Sequence, residues 1–545
     1  MKSFNKNILA TIVLVALLFS SCKDLTELNL NPNGIPPSSA NPNFLLSTVL
    51  SETGKTYVNL GFGDLAGVMQ HTQKDAWATG HNDYDWSDQS WSFYYNTLRT
   101  NQKAYVNAEN LGWEFQMGVS KVMEAFLFGQ IADLWGDAPY TNALNGNLGG
   151  EDNLLPAYDS QETIYKGIIE TLKEASVLLS KNKDEYTATM GDADLYLHDE
   201  PMMWRKFANS LLLRYYMRFS EKDPSFAKSG VEGIYASGVF ISDNSEDAMM
   251  DFVGNSAADS WPSNWVYDAS GSGFRRIKMC GTIVETLQGL SDPRLSVWAN
   301  KVEIPLVVDA SLPAGTDEVR EDGKRYIHPD MIPAETLYDT DDEYVGIPPS
   351  IGANPSWYNL NPTPGQNSYN PHVSYLNDIY KDANGELLKA RLISATEVSF
   401  LFAEAALKGW STGDAKTHYE AAVKSSFEFW GVVDDYDAYI AQAEVTFDNS
   451  LEQLMTQKWI ASWGSATESW SDYRRTGFPQ LEAGPKAKRE KLPVRFYYSS
   501  DTRDKNPTNF EAALENLEET NYSRTDGKNS AWSKPWLLQG MNNPW

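Results

Sequence analysis

Apolar residues recur along much of this chain at intervals of three and four, the spacing that lines one face of an α-helix. Met123, Phe126, Leu127, Ile131 and Leu134 form one such stripe, closed by Gly136 and Pro139. Ile164, Ile168, Leu172, Ala175 and Leu179 form the next, with Asp159 and Glu162 at its start in the spacing of a capping box. A third begins at Pro201, a favoured first helical position, and buries Trp204, Phe207, Ala208, Leu211 and Tyr215.

The C-terminal part repeats the pattern. Ser394 and Glu397 open a helix whose inward positions are Val398, Leu401, Phe402 and Ala405. After a tight Ser411–Asp414 turn, Asp414 caps a second helix with Tyr419, Ala422, Val423, Phe427 and Trp430 on one side. Two antiparallel helices joined this closely make an αα-hairpin. The pair is similar to a tetratricopeptide unit in its small residues and its turn, but no regular 34-residue period runs through the rest. Ser450 with Gln453 opens a further helix.

Between about 243 and 383 the helical period fades into a stretch rich in Gly, Pro, Asn and aromatics. It predicts a few short strands, one around residues 301–308, and turns at Asp322-Gly323 and Asn384-Gly385. So long an irregular excursion within a helical chain points to function. The predicted fold is therefore mainly α, with helical hairpins as scaffold and a loop-rich half for a ligand.

The N-terminus follows other rules. Lys2 and Lys6 precede an uncharged, mostly apolar run from Ile8 to Phe19, then Ser20, Ser21 and Cys22. This is a secretory signal pattern, too short to span a bilayer. Its end resembles a bacterial lipoprotein box, with Phe19 a slight departure, so residues 1–21 are expected to be removed and Cys22 lipidated. Prolines at 32, 36, 37 and 42 make residues 22–43 an extended tether, and ordered structure is expected from Phe44 to the C-terminus as one domain.

Charge and cysteine content narrow the partners. The 545 residues hold 73 Asp and Glu against 45 Lys and Arg, a formal charge of −28. That argues against nucleic acid and against electrostatic docking on anionic lipid. With Cys22 taken by lipid, Cys280 has no partner for an intrachain disulfide, so the core alone must stabilise the chain.

Catalytic chemistry is sparse. Gly409-Trp410-Ser411-Thr412-Gly413 fits the G-x-S-x-G pattern, but a nucleophile elbow needs a strand before the serine, and here a helix precedes it. The Asp382–Glu386 stretch lacks the acidic ligands of a calcium loop at Tyr380 and Arg391. The six histidines are scattered, without a zinc pattern. No cofactor or metal site is predicted, and the chain does not read as an enzyme. Carboxylate pairs at glycosidase spacing arise by chance among so many acids, which leaves a lipid-anchored glycoside hydrolase as the weaker alternative.

The 18 tryptophans and 28 tyrosines carry the stronger signal. Three groups of aromatics sit in loops among Asn, Asp, Ser and Gly: Trp77, Tyr84 and Trp86; Trp261, Trp265 and Phe274, with Arg275 beside them; and Trp357 and Tyr369. Flat rings amid hydrogen-bonding groups suit the apolar face and hydroxyl rim of a sugar, or an extended peptide. These nine residues are the candidate ligand site. Trp91, leading into an apolar helical pattern, is expected in the core.

Read together in this order, several segments resemble the SusD/RagB-type outer-membrane nutrient-binding lipoproteins of Bacteroidetes, in the starch-binding-associated subgroup. They include CKDLTELNLNPNG, LWGDAPYTNAL, WRKFANSLLLRYYMRF, YVGIPPSI, ATEVSFLFAEAALKGW and ESWSDYRRTGFP. The resemblance implies four tetratricopeptide-like hairpins, a lipid anchor in the outer membrane facing the exterior, and no catalytic residues. It implies oligosaccharide, or in some members peptide, as ligand, and a SusC-like TonB-dependent transporter as partner. Ligand residues vary across such proteins, so it transfers none by position.

Overall fold

The helical stripes fold as their spacing predicts because each buries its apolar face against the next helix. The computed structural model describes residues 39–352, 355–365 and 369–545; Cys22, the signal pattern and most of the tether lie outside them. Eight helices pair in chain order: α1 (Pro42–Gly61) with α2 (Ser92–Leu111), α3 (Glu114–Trp135) with α4 (Gln161–Leu178), α5 (Pro201–Arg218) with α6 (Pro224–Ser237), and α7 (Ala395–Leu407) with α8 (Ala415–Phe429). Two more, α9 (Leu451–Ala461) and α10 (Ala466–Thr476), pack beside α7 and α1. All the predicted inward positions of α3, α4, α5, α7 and α8 are buried. Among the described residues no helix is long and apolar enough to cross a membrane.

The helix starts show where local reading holds and where it shifts. Asp414 accepts the Thr417 N–H at 2.8 Å, as expected of an N-cap. Ser394 accepts the Glu397 N–H at 3.3 Å, but the Glu397 carboxylate does not complete a box; it grips Arg214 with two bonds of 2.7 Å. The cap of α4 is Ser160, not Asp159, and accepts from Thr163 N–H at 3.2 Å. Asp159 instead ties down the preceding loop, accepting from Tyr140 N–H at 3.0 Å and Thr141 N–H at 2.8 Å. The first helix starts at Pro42, two residues before the expected Phe44, because Asn41 caps it through the Asn43 N–H at 2.9 Å.

The hairpins differ in their connections. Those of α5/α6 and α7/α8 are tight, whereas residues 62–91 and 136–160 form long excursions between paired helices. The stretch 243–383 adds most of the strands. Strand β1 (Thr72–Lys74) pairs antiparallel with β3 (Ile277–Met279), and β2 (Ala248–Asp251) pairs antiparallel with β7 (Lys389–Ile393). The third sheet has β6 (Arg325–Ile327) in the centre, parallel to β4 (Leu306–Val308) and antiparallel to β5 (Asp317–Val319). The predicted Asp322-Gly323 turn joins β5 to β6, with Gly323 at φ +80°. A helix at Gly281–Gly289 also interrupts the irregular stretch.

Charged side chains hold the helices together from inside. Arg218 on α5 meets Asp133 of α3 at 3.0 Å and Glu468 of α10 at 2.6 Å, all buried. Arg475 of α10 forms a two-pronged pair with Glu404 of α7, one prong at 2.7 Å, and reaches Asp472 at 2.9 Å. Lys458 of α9 closes on Asp472 at 2.7 Å. Burial pushes the Asp472 carboxyl up, but Lys458 and Arg475 outweigh it and hold the group down to about 2. A buried ion pair broken on one side leaves an uncompensated charge in the core. Arg475→Met should therefore cost about 3–5 kcal/mol of stability in urea unfolding; a loss below about 1 kcal/mol would show that water, not Arg475, satisfies Glu404.

Candidate functional site

The short β1–β3 ladder brings two distant loops side by side. Gln73 stands opposite Lys278 and Lys74 opposite Ile277, and the Asp75 N–H extends the pairing to the Arg276 carbonyl at 3.1 Å. Trp77 follows just past this end, in the left-handed region at φ 57° and 65% exposed. Its ring lies 5.3 Å from the Arg276 guanidinium. The next residue back, Arg275, stands 5.6 Å from the ring of Trp265, which is 37% exposed. Lys381 approaches that ring too, at 5.3 Å, and its carbonyl accepts the Trp265 N–H at 2.8 Å.

The ring of Trp265 rests on backbone. A Cβ placed on Gly271 would come within 2.5 Å of it, and Gly271 is at φ +60°, so only glycine allows this approach. The loop beneath is tied by Asp268, which accepts the Gly273 N–H at 2.7 Å and the Ser270 hydroxyl at 2.6 Å. Those bonds hold the Asp268 carboxyl down to about 2. Under Trp265 lies Phe274, then Tyr375 stacked on Phe274 at 6.4 Å and 14°. Lys278, buried, sits 3.6 Å from the Tyr375 ring centre and pairs with Asp75 at 3.2 Å. Burial lowers the Lys278 ammonium to about 8, with Asp75 working in the opposite direction. Cation and ring contacts of this kind fix side-chain directions, while Trp77 and Trp265 keep 65% and 37% of their surface exposed.

Of the nine residues expected at the site, the structure brings Trp77, Trp265 and Arg275 together around one ladder. Tyr369 joins its margin: it is 44% exposed, donates to Glu303 at 2.8 Å, and precedes Asn370, whose N–H donates to the Tyr375 hydroxyl at 2.9 Å. Trp357 is 71% exposed, and among the described residues no ring or cation stacks on it. The other four are core, a correction to their expected exposure. Tyr84 is buried; Trp86 packs edge-on against Phe496 at 4.9 Å and Trp470 at 5.9 Å. Trp261 is enclosed by Phe62, Phe252 and Tyr380, and Phe274 lies under Trp265.

Polar neighbours do not separate the two kinds of ring: Asp83 accepts from Gly80 N–H at 2.7 Å beside buried Tyr84, and Asn264 accepts from Tyr267 N–H at 3.0 Å beside exposed Trp265. The difference lies in what packs against each ring, Phe496 and Trp470 against Trp86, and Phe62, Phe252 and Tyr380 against Trp261. Arg276, Lys381 and Tyr375 were not expected at the site. Arg276 had a legible signal, its place beside Arg275; Lys381 and Tyr375 arrive from a remote segment and had none. Among the described residues no cluster of three or more His, Cys, Asp or Glu side chains is placed to hold a metal ion.

Four helical hairpins carrying long connections, with exposed rings and cations on two of those segments, are the features to set beside known proteins. The SusD-like_2 family, described as starch-binding and associating with the outer membrane, matches residues 36–306 and 340–499, and the chain belongs to it. Among solved structures it is similar to a chitin-binding protein at 22% identity and TM-score 0.70, over 92% of this chain and all of that one. It is similar to a SusD homologue of Bacteroides fragilis at 20% identity and TM-score 0.69, covering 92% and 99% of the two chains. A SusD-like protein of Bacteroides thetaiotaomicron aligns at 21% identity and TM-score 0.64, covering 94% and 100%. At these identities the likeness establishes the fold. No curated protein matches.

Burial separates the two kinds of tryptophan, and so should stability. Trp261→Ala should cost about 3–5 kcal/mol, as large buried aromatics do. Trp77→Ala should stay within about 0.5 kcal/mol, as exposed positions do. Thermal or urea unfolding of both variants checks this, and equal losses would contradict the assignment of one to core and the other to platform.

Proposed function

We propose that this chain is a surface lipoprotein that binds oligosaccharides and hands them to a SusC-like TonB-dependent transporter in the outer membrane. The observation that carries the reading is the pair of exposed rings, Trp77 and Trp265, held beside the β1–β3 ladder by Arg276, Arg275 and Lys381. An open part of an indole takes the C–H face of a pyranose, while the guanidinium and ammonium groups lying over these rings donate to hydroxyls. The starch-binding description of the family supports this ligand class, and so does the neighbouring fold of a chitin-binding protein. The role is capture and presentation, with no bond made or broken.

The lipid anchor rests on Cys22 and the signal pattern before it. The two or more acyl chains of such an anchor hold a protein on a membrane without a spanning helix. Facing outward over a transporter, a platform of fixed rings shortens the path from bulk solution to the pore.

Calorimetric titration with malto- and chito-oligosaccharides tests the ligand. Trp77→Ala and Trp265→Ala should each weaken binding about three- to tenfold, the value of one ring contact. Unchanged affinity in both would move the site elsewhere, and binding of peptides in place of sugars would replace the ligand class. Independently, Cys22→Ser should release the protein from the membrane fraction and abolish radiolabelled palmitate incorporation; retention with label would overturn the anchor.

A further inference from the structure

A second trough with aromatic walls lies on elements that the platform does not use. It runs between the first two turns of α2, the 136–160 connection and the short helix Ser500–Lys505, and encloses about 420 Å³. We propose that it is a second oligosaccharide site. The proposal shares with the first reading only the class of ligand.

Three half-buried rings form its wall. Trp91 meets Tyr95 at 5.6 Å and 74° and Tyr158 at 5.4 Å and 60°, so each ring braces the next edge to face. Behind them, Trp135 and Tyr498 press on Trp91 at 5.8 and 5.7 Å. The expectation that Trp91 is core is thus met on one side only: one part of the indole anchors α2 and another lines the trough. Tyr95 donates its hydroxyl proton to the Pro139 carbonyl at 2.7 Å. The facing lip is pinned as well, since Asn506 donates to the Pro156 carbonyl at 2.8 Å and Asn509 to that of Leu155 at 2.9 Å. Walls already fixed in place have little freedom left to lose when a ligand arrives.

The rim supplies hydrogen bonds. Ser92, Asn96 and Arg99 stand at i, i+4 and i+7 on α2, which sets them in a row on one helix face above the rings. All three are exposed. Arg99 bonds the neutral Asn96 amide, so most of its five N–H donors face outward. Across the trough, Lys505 pairs with Asp501 at 2.9 Å. Indole and phenol surface below, with amide and guanidinium donors along one edge, matches the two chemistries of a pyranose ring. Leu144 and Leu154 in the lining would suit an apolar peptide. The row of polar donors along the whole α2 side favours the sugar.

The test is a two-site titration of the purified protein with malto- and chito-oligosaccharides. Wild type should bind two ligands per chain. The double variant Trp77→Ala/Trp265→Ala should keep the trough alone, and Asn96→Ala/Arg99→Ala should keep the platform alone, its trough affinity lowered about tenfold or more. Asn96 and Arg99 are exposed, so unfolding temperature should not move and serves as the folding control. One ligand per chain, with affinity indifferent to Asn96→Ala/Arg99→Ala, overturns the trough and leaves the platform standing. One ligand lost only with Asn96→Ala/Arg99→Ala overturns the platform and leaves the trough. Peptides competing at the trough where no sugar binds would also overturn this proposal.

Discussion

Arg218, buried between three helices, is the contact on which the scaffold turns. Its guanidinium joins Asp133 of α3 to Glu468 of α10, and Arg214, one turn earlier on α5, joins Glu397 of α7 to the same Glu468. Tyr165 of α4 adds its hydroxyl to Asp133 at 2.7 Å. Five helices from distant parts of the sequence thus share one charged knot. Hydrophobic faces alone would let such helices slide, because apolar contact is not directional. Two-pronged carboxylate–guanidinium pairs tolerate little displacement, and each charge left unmatched in the core is costly. The knot therefore sets which helix neighbours which, and with that where the long connections emerge.

Those connections hold the proposed binding surfaces. The 62–91 excursion supplies β1 and Trp77, and pairs with β3 from the irregular half, so the platform spans two segments some two hundred residues apart. The 136–160 excursion, pinned by Asp159, forms one lip of the second trough. In both places rings are oriented by cations or by other rings, and loop backbone is satisfied by Asp and Asn side chains. Rigid loops on a helical frame suit the proposed role of presenting ligand to a neighbour.

Local signals hold wherever one helix or one turn decides the outcome. The stripes of α3, α4, α5, α7 and α8, the caps at Ser394 and Asp414, and the Asp322-Gly323 turn all stand as their residues predict. The misplacements share a cause. Asp159 has the chemistry of a cap and Glu397 that of a capping box, yet each is claimed by a partner outside its helix start. Trp86 and Trp261 sit in loops among polar residues, as Trp77 does, but Phe496 and Tyr380 from remote segments pack against them and the rings are buried.

By itself, then, the sequence determined the helical class, the hairpin of α7 and α8, the irregular stretch before it and the presence of loop aromatics beside Arg275. Periodicity and capping depend on residues within a few positions of each other, so they can be read along a line. It could not determine which tryptophans face solvent, because that depends on whether a segment such as 378–381 or 496–498 closes over the ring. Only the tertiary structure sorted Trp77 and Trp265 from Trp86 and Trp261, brought Arg276 and Lys381 to the exposed pair, and opened a trough against Trp91. Helix formation is local, whereas exposure is decided by contacts between residues far apart in the chain.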